Sequence, residues 1–182
     1  MNTHNYANLP PVLPRQRGFT MVEILVTIIV LTIGLLGLGA LQLNALRNNS
    51  SAYERSQATM LAYDMIDRIL ANKALAKAGS YNVALGVAPA GTDCTTAGAN
   101  CSPIQMAQYD IDAWKCSLGK WESSGVCTGF NATTGITING TLPEGDGSVV
   151  VNGGVVTVSI QWEDKRDRAA GRTVTLSVSS EI

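Results

Sequence analysis

Histidine is almost missing: the only one, His4, stands among the first few residues, and everything beyond Gly18 has none. That removes the commonest general base and the commonest metal ligand together. With no nucleophile–base constellation either, no catalytic, cofactor-binding or metal-binding residue is assigned, and an enzyme is not expected. A basic surplus is lacking too. All fourteen acids but only eleven of the thirteen bases lie after Gly18, a mildly acidic balance that disfavours nucleic acid as a partner. The cysteines run C-x6-C-x14-C-x10-C, without the paired C-x2–4-C of zinc sites. Pro143–Gly147 (PEGDG) lacks the ligand spacing of a calcium loop. In the loop 163–172 acids and bases nearly cancel, as on a solvated hairpin loop.

Charge is absent from one long stretch. From Ile24 to Leu41 there are 18 residues without a charged side chain, enough as helix to cross most of a bilayer core. One carboxylate, Glu23, stands at its start. An acid there is costly, by ~2–3 kcal/mol at mid-membrane and less near an edge, so Glu23 needs a role. Either it reaches back to the interface, or it pairs with a positive group of a neighbouring chain. The order of features is also unusual. A secretory signal carries its small-residue cleavage site after the apolar run, whereas here Gly18 precedes the run and follows Arg15 and Arg17. A cut between Gly18 and Phe19 removes a polar leader and keeps the apolar helix. The basic side chains place the N-terminus in the cytoplasm and the remainder outside it. Thr27 and Thr32 can return their hydroxyls to the preceding helical turn. Gly34, Gly37 and Gly39 form no GxxxG pair and soften the helix by ~1 kcal/mol each relative to Ala.

Beyond Arg47 the pattern turns amphipathic. Ala58, Leu61, Ala62, Met65, Ile66, Ile69 and Leu70 recur at three- and four-residue steps, one face of a helix. Lys73 and Lys77 suit its C-terminus and Gly79 its stop, which predicts one helix from Phe19 to Ala78. Residues 80–147 are rich in small and polar residues and too poor in apolar ones to make a core alone. Cys94, Cys101, Cys116 and Cys127 are expected to staple this stretch as disulfides in an oxidising compartment. Nearest-neighbour pairing would close loops of 8 and 12 residues, each worth ~2.5–3 kcal/mol by chain entropy; nested and crossed pairings stay open. Trp114 and Trp121 are read as cover for a small core. Val149–Val151 and Val155–Trp162 read as a hairpin around Asn152-Gly153, and Val174, Leu176 and Val178 repeat its alternation. The fold class is α+β: a long N-terminal helix, apolar then amphipathic, packed on a small antiparallel sheet.

The residues Arg15, Arg17, Gly18, Phe19 and Glu23, with TMVEILVTIIVL following Phe19, resemble the class III signal of the type IV pilin-like family. The continuation from Gly34 to Asn72 is similar to the minor pilins called type IV pilus modification protein PilV. Ala40 stands where many major pilins carry proline. The resemblance implies a leader over 1–18, removed by prepilin peptidase at Gly18-Phe19, with N-methylation of Phe19. It implies a transmembrane and assembly helix over 19–47, its amphipathic continuation over 48–78, and a disulfide-stapled β domain over 79–182. It gives Glu23 a role in subunit recruitment. The protein would then be a minor pilin near the tip of a pilus, supporting twitching motility and attachment. Its partners would be prepilin peptidase, other minor pilins, the major pilin, a tip adhesin, and the inner membrane before assembly. A minor pseudopilin of a type II secretion system is the alternative.

Overall fold

A computed structural model describes residues 18–95, 100–134, 138–164 and 171–182. The expected leader 1–18, apart from Gly18, and residues 165–170 of the charged loop lie outside the described residues. The chain divides into two units, Met1–Asn44 and Ala45–Ile182.

Helix α1, Met21–Ala71, starts at a threonine: the Glu23 amide donates to Thr20 Oγ1 at 3.3 Å. At 51 residues it is about 77 Å long at 1.5 Å per residue. It passes through Gly34, Gly37 and Gly39 without interruption. The expected unbroken helix to Ala78 is corrected at Asn72, which leaves helical geometry (φ −128°, ψ 46°) before a short α2, Lys73–Lys77. The Asn72 side chain donates to Pro103 O at 3.0 Å, so it serves a tertiary contact. Gly79 ends the segment at φ +83°, a left-handed conformation that glycine adopts without strain.

The stretch 80–147, part of the expected disulfide-stapled β domain 79–182, holds two helices, α3 (Pro103–Leu118) and α4 (Gly125–Thr134). Ser102 and Gln105 form a capping box around Pro103 at the first helical position, a signature legible in S-P-x-Q. Ala107, Ile111, Trp114 and Leu118 face the main core at four-, three- and four-residue steps. Asp110, Asp112 and Lys115 interrupt that pattern, yet all three are buried. Burial of charges between apolar residues is what hid the helix.

The sheet has the order β1-β2-β3, all antiparallel, with β1 at Asp146–Asn152, β2 at Val155–Asp164 and β3 at Arg172–Glu181. The first turn differs by one residue from expectation. Asn152 opposes Val155, so Gly153 and Gly154 are the loop, at φ +59° and +83°, the positive values a two-residue hairpin demands. Val156, Val158, Ile160 and Trp162 are buried against Ala58, Ala62, Met65, Ile66 and Ile69 of α1 and the apolar face of α3. Trp114 fills the centre, its Nε1 donating to Leu61 O at 2.9 Å. A Cβ on Gly147 would lie 2.3 Å from the Trp114 ring, so this position has to lack one.

A second cluster of Ala113, Cys116, Cys127 and Phe130 is flanked by Tyr109 and Trp121. Cys116 bonds Cys127 across it, joining α3 to α4, and Cys94 bonds Cys101. Trp114 and Trp121 thus serve different cores.

Polar side chains of α3 fasten the irregular segment after α2. The Asp112 carboxylate accepts from the amides of Ala90, Gly91 and Thr92, each at 2.9 Å. Asp110 accepts from Tyr81 at 2.8 Å and from Arg68 at 3.3 Å; burial, then this hydrogen bond, pushes the Tyr81 phenol up to about 12. Lys115, fully buried, reaches Asp146 at 2.6 Å and Ala84 O at 3.1 Å. Asp146 also accepts from Lys120 and from the amides of Gly86 and Gly147. Burial alone would raise its carboxyl; these donors outweigh burial and hold it below the usual carboxylate range. A depressed carboxylate contributes stability above its unfolded value, near 3.9, and that stability is lost as pH falls through the lower folded value. Unfolding of the full-length chain in detergent is therefore expected to become easier below about pH 4. Asp146→Asn should flatten that limb; an unchanged acid limb would remove Asp146 as its source.

Candidate functional site

The N-terminal part carries the features singled out from the sequence. Gly18, Phe19 and Thr20 precede the helix without regular structure, and all three are exposed. The Gly18–Phe19 peptide bond is thus on open chain, the form a protease must find. Phe19 is 79 % exposed. Glu23 follows four residues later in the first turn of α1 and is exposed, where the helix N-terminus favours a negative charge. Thr20 was not singled out from the sequence, although Thr20-x-x-Glu23 has the capping-box form that would have revealed it.

The following apolar surface goes all round the helix. Ile24, Val26, Ile29, Leu31, Leu35 and Leu38 are all about half exposed or more, and none of the most apolar 18-residue window is buried. A helix apolar on every side belongs in lipid or among other helices. Thr27 donates to Glu23 O, and Thr32 donates to Ile29 O at 2.8 Å, so neither hydroxyl demands water. A Cβ at Gly34 or Gly37 would meet nothing within 4 Å. Contacts among the described residues therefore do not require those glycines.

The site offers one carboxylate, an exposed Gly18–Phe19 bond and an apolar rod, which suits association rather than catalysis. The cysteines belong to the second unit. Among the described residues no group of three or more His, Cys, Asp or Glu side chains could hold a metal ion.

Among the described residues one helix is long and apolar enough to cross a membrane, and the unit Ala45–Ile182 is α+β. Residues 13–39 match the prokaryotic N-terminal methylation motif, and residues 40–112 match the Tt1218-like family, described as type IV pilin Tt1218. The two matches abut, and together with this fold they support the type IV pilin family. That family is structural rather than enzymatic, and the methylation motif implies processing by prepilin peptidase and assembly with other pilins. No curated protein and no solved structure matches the chain.

Proposed function

We propose that the chain is a minor pilin of the PilV-like kind, which enters a type IV pilus, helps to initiate it and lies near its tip. Residues 1–18 form the leader, cut at Gly18-Phe19 with methylation of the Phe19 amine. Residues 19–47 hold the subunit in the inner membrane and then in the fibre, with the N-terminus cytoplasmic and the remainder outside. Residues 48–71 continue the helix, α2 follows at Lys73–Lys77, and 79–182 form the disulfide-stapled domain. Glu23 sits about one helical turn from the new amine. In a stack of axially offset helices, one chain's carboxylate can meet a neighbour's ammonium in an apolar setting. There an unpaired charge is costly and a paired one much less so, so the correct stagger is favoured. The observation that carries this reading is the exposed Gly18–Phe19 bond directly before an all-round apolar helix with Glu23 in its first turn.

Deletion tests the assignment to a pilus. Loss of surface pili and twitching with normal exoprotein release is expected; the reverse phenotype would point to a secretion pseudopilus. Processing tests the cut. Gly18→Ala is expected to slow leader removal at least tenfold, read as accumulation of the longer chain on immunoblots, whereas Gln16→Ala is expected to be neutral. Equal processing of both would move the cut elsewhere.

A further inference from the structure

The two outer edges of the sheet are treated differently. Asn152 and Val155 pair across the first turn, and the Ile182 amide donates to Gly154 O at 2.9 Å. Backbone groups of successive strand residues point to opposite edges. Odd-numbered residues of β2 therefore bond to β1, and even-numbered ones to β3. On β1, the amides of Gly147, Val149 and Val151 then point outward. All three are taken: Gly147 by the Asp146 carboxylate at 2.8 Å, Val149 by Val83 O at 2.9 Å, and Val151 by Asn82 Oδ1 at 2.7 Å. On β3 the same alternation turns Thr173, Thr175, Ser177 and Ser179 outward. These four are exposed and have no backbone partner on that side among the described residues.

This edge also lacks the usual protection. Strand β3 is ten residues long, without proline or lysine, and Thr173–Ser180 carries no charge. Long, uncharged, unbulged edges are templates for another strand, and proteins normally blunt them. Below the edge, Val174, Leu176 and Val178 are only partly buried, whereas Val156, Val158 and Ile160 of the neighbouring strand are fully buried. The core face therefore has room for one more row of apolar side chains.

We infer that the free edge of β3 accepts an extended segment of a different filament protein as a fourth strand. The occupant is about eight residues long, uncharged in its middle, with aliphatic side chains at alternate positions beside Val174, Leu176 and Val178. A second copy of this chain fits poorly. Ser51 donates to Asp164 at 3.3 Å, and Asp164 opposes Arg172, so α1 enters at that end of the sheet. Asn82, just beyond the helices, bonds at the opposite, hairpin end. Antiparallel pairing of two β3 edges with a shared core face needs a two-fold axis perpendicular to the sheet. That axis reverses the second copy's part of α1 within Ala45–Ile182, whereas subunits stacked in one filament carry it in the same direction. Parallel pairing of the same edges would set one copy's hydroxyl face beside the other's apolar face.

This inference rests on the pilin reading in one respect, that the donor strand is found in the filament. The test is quenched amide hydrogen exchange on the full chain in detergent and in sheared pili. In detergent, Val174, Leu176 and Val178 amides are expected to be protected, and Thr175, Ser177 and Ser179 to exchange freely. In pili, those three are expected to slow at least 100-fold. Ser177→Pro removes an outward donor at a position where an edge strand can accept proline. It is expected to fold but fall at least tenfold in pili, while Ser177→Ala, which keeps the amide, remains near wild type. Fast exchange of the outward amides in pili that contain the chain would overturn the edge inference alone. Absence of the wild-type chain from pili would overturn the pilin reading, and this inference with it. Concentration-dependent protection already present in detergent would overturn the choice of a different chain as occupant. Should Ser177→Pro fail to fold, the wild-type exchange pattern still decides.

Discussion

Glu23→Ala is expected to leave the protein folded, inserted and cut, but to lower its amount in sheared filaments at least tenfold. The carboxylate has two physical uses. At the helix start it lies near Thr20 and the positive end of the helix, a local effect worth ~0.3–1 kcal/mol. Between chains it would pair with an ammonium in an apolar setting, where loss of one partner is far more costly. A tenfold loss corresponds to ~1.4 kcal/mol, above the local effect. Thr20→Ala separates the two. It weakens the helix start without removing the charge, and is expected to leave incorporation near wild type. Wild-type levels of the Glu23→Ala chain in filaments would defeat the pairing role. Equal loss in both variants would assign Glu23 to the helix start.

Asp146→Ala is expected to be the most damaging single change in the head, costing ~3–5 kcal/mol in unfolding of the full-length chain in detergent. It strands Lys115, which is fully buried, and frees the amides of Gly86 and Gly147. Removal of both charges is a different experiment, because an apolar pair of similar volume can replace a buried ion pair at little cost. Lys115→Met combined with Asp146→Leu is thus expected to recover part of the loss, the amides remaining unpaired. A single change that shifts the unfolding midpoint no more than a surface substitution would show that the pair contributes nothing.

The elements that could be read from the sequence were those whose signal is periodic and local. The apolar stripe Ala58–Leu70 and the alternation Val156–Trp162 each face a single environment, so side-chain period and burial coincide. The motif from Arg17 through Gly18 and Phe19 to Glu23 was readable because charge, glycine and apolar run are contiguous. Helix α3 escaped because burial there includes charged residues whose partners are distant in sequence: Asp112 meets residues 90–92, and Lys115 meets Asp146. No local pattern announces such partners. The break at Asn72 was hidden for the same reason, its side chain being held by Pro103. The difference between the two sheet edges was also beyond the sequence, since it depends on Asn82 and Val83 returning to β1.

The most direct measurement is the intact mass and N-terminal sequence of this chain recovered from sheared pili. The account predicts a chain that begins at an N-methylated Phe19. A chain beginning at Met1, or one confined to the membrane fraction and absent from pili, would contradict it.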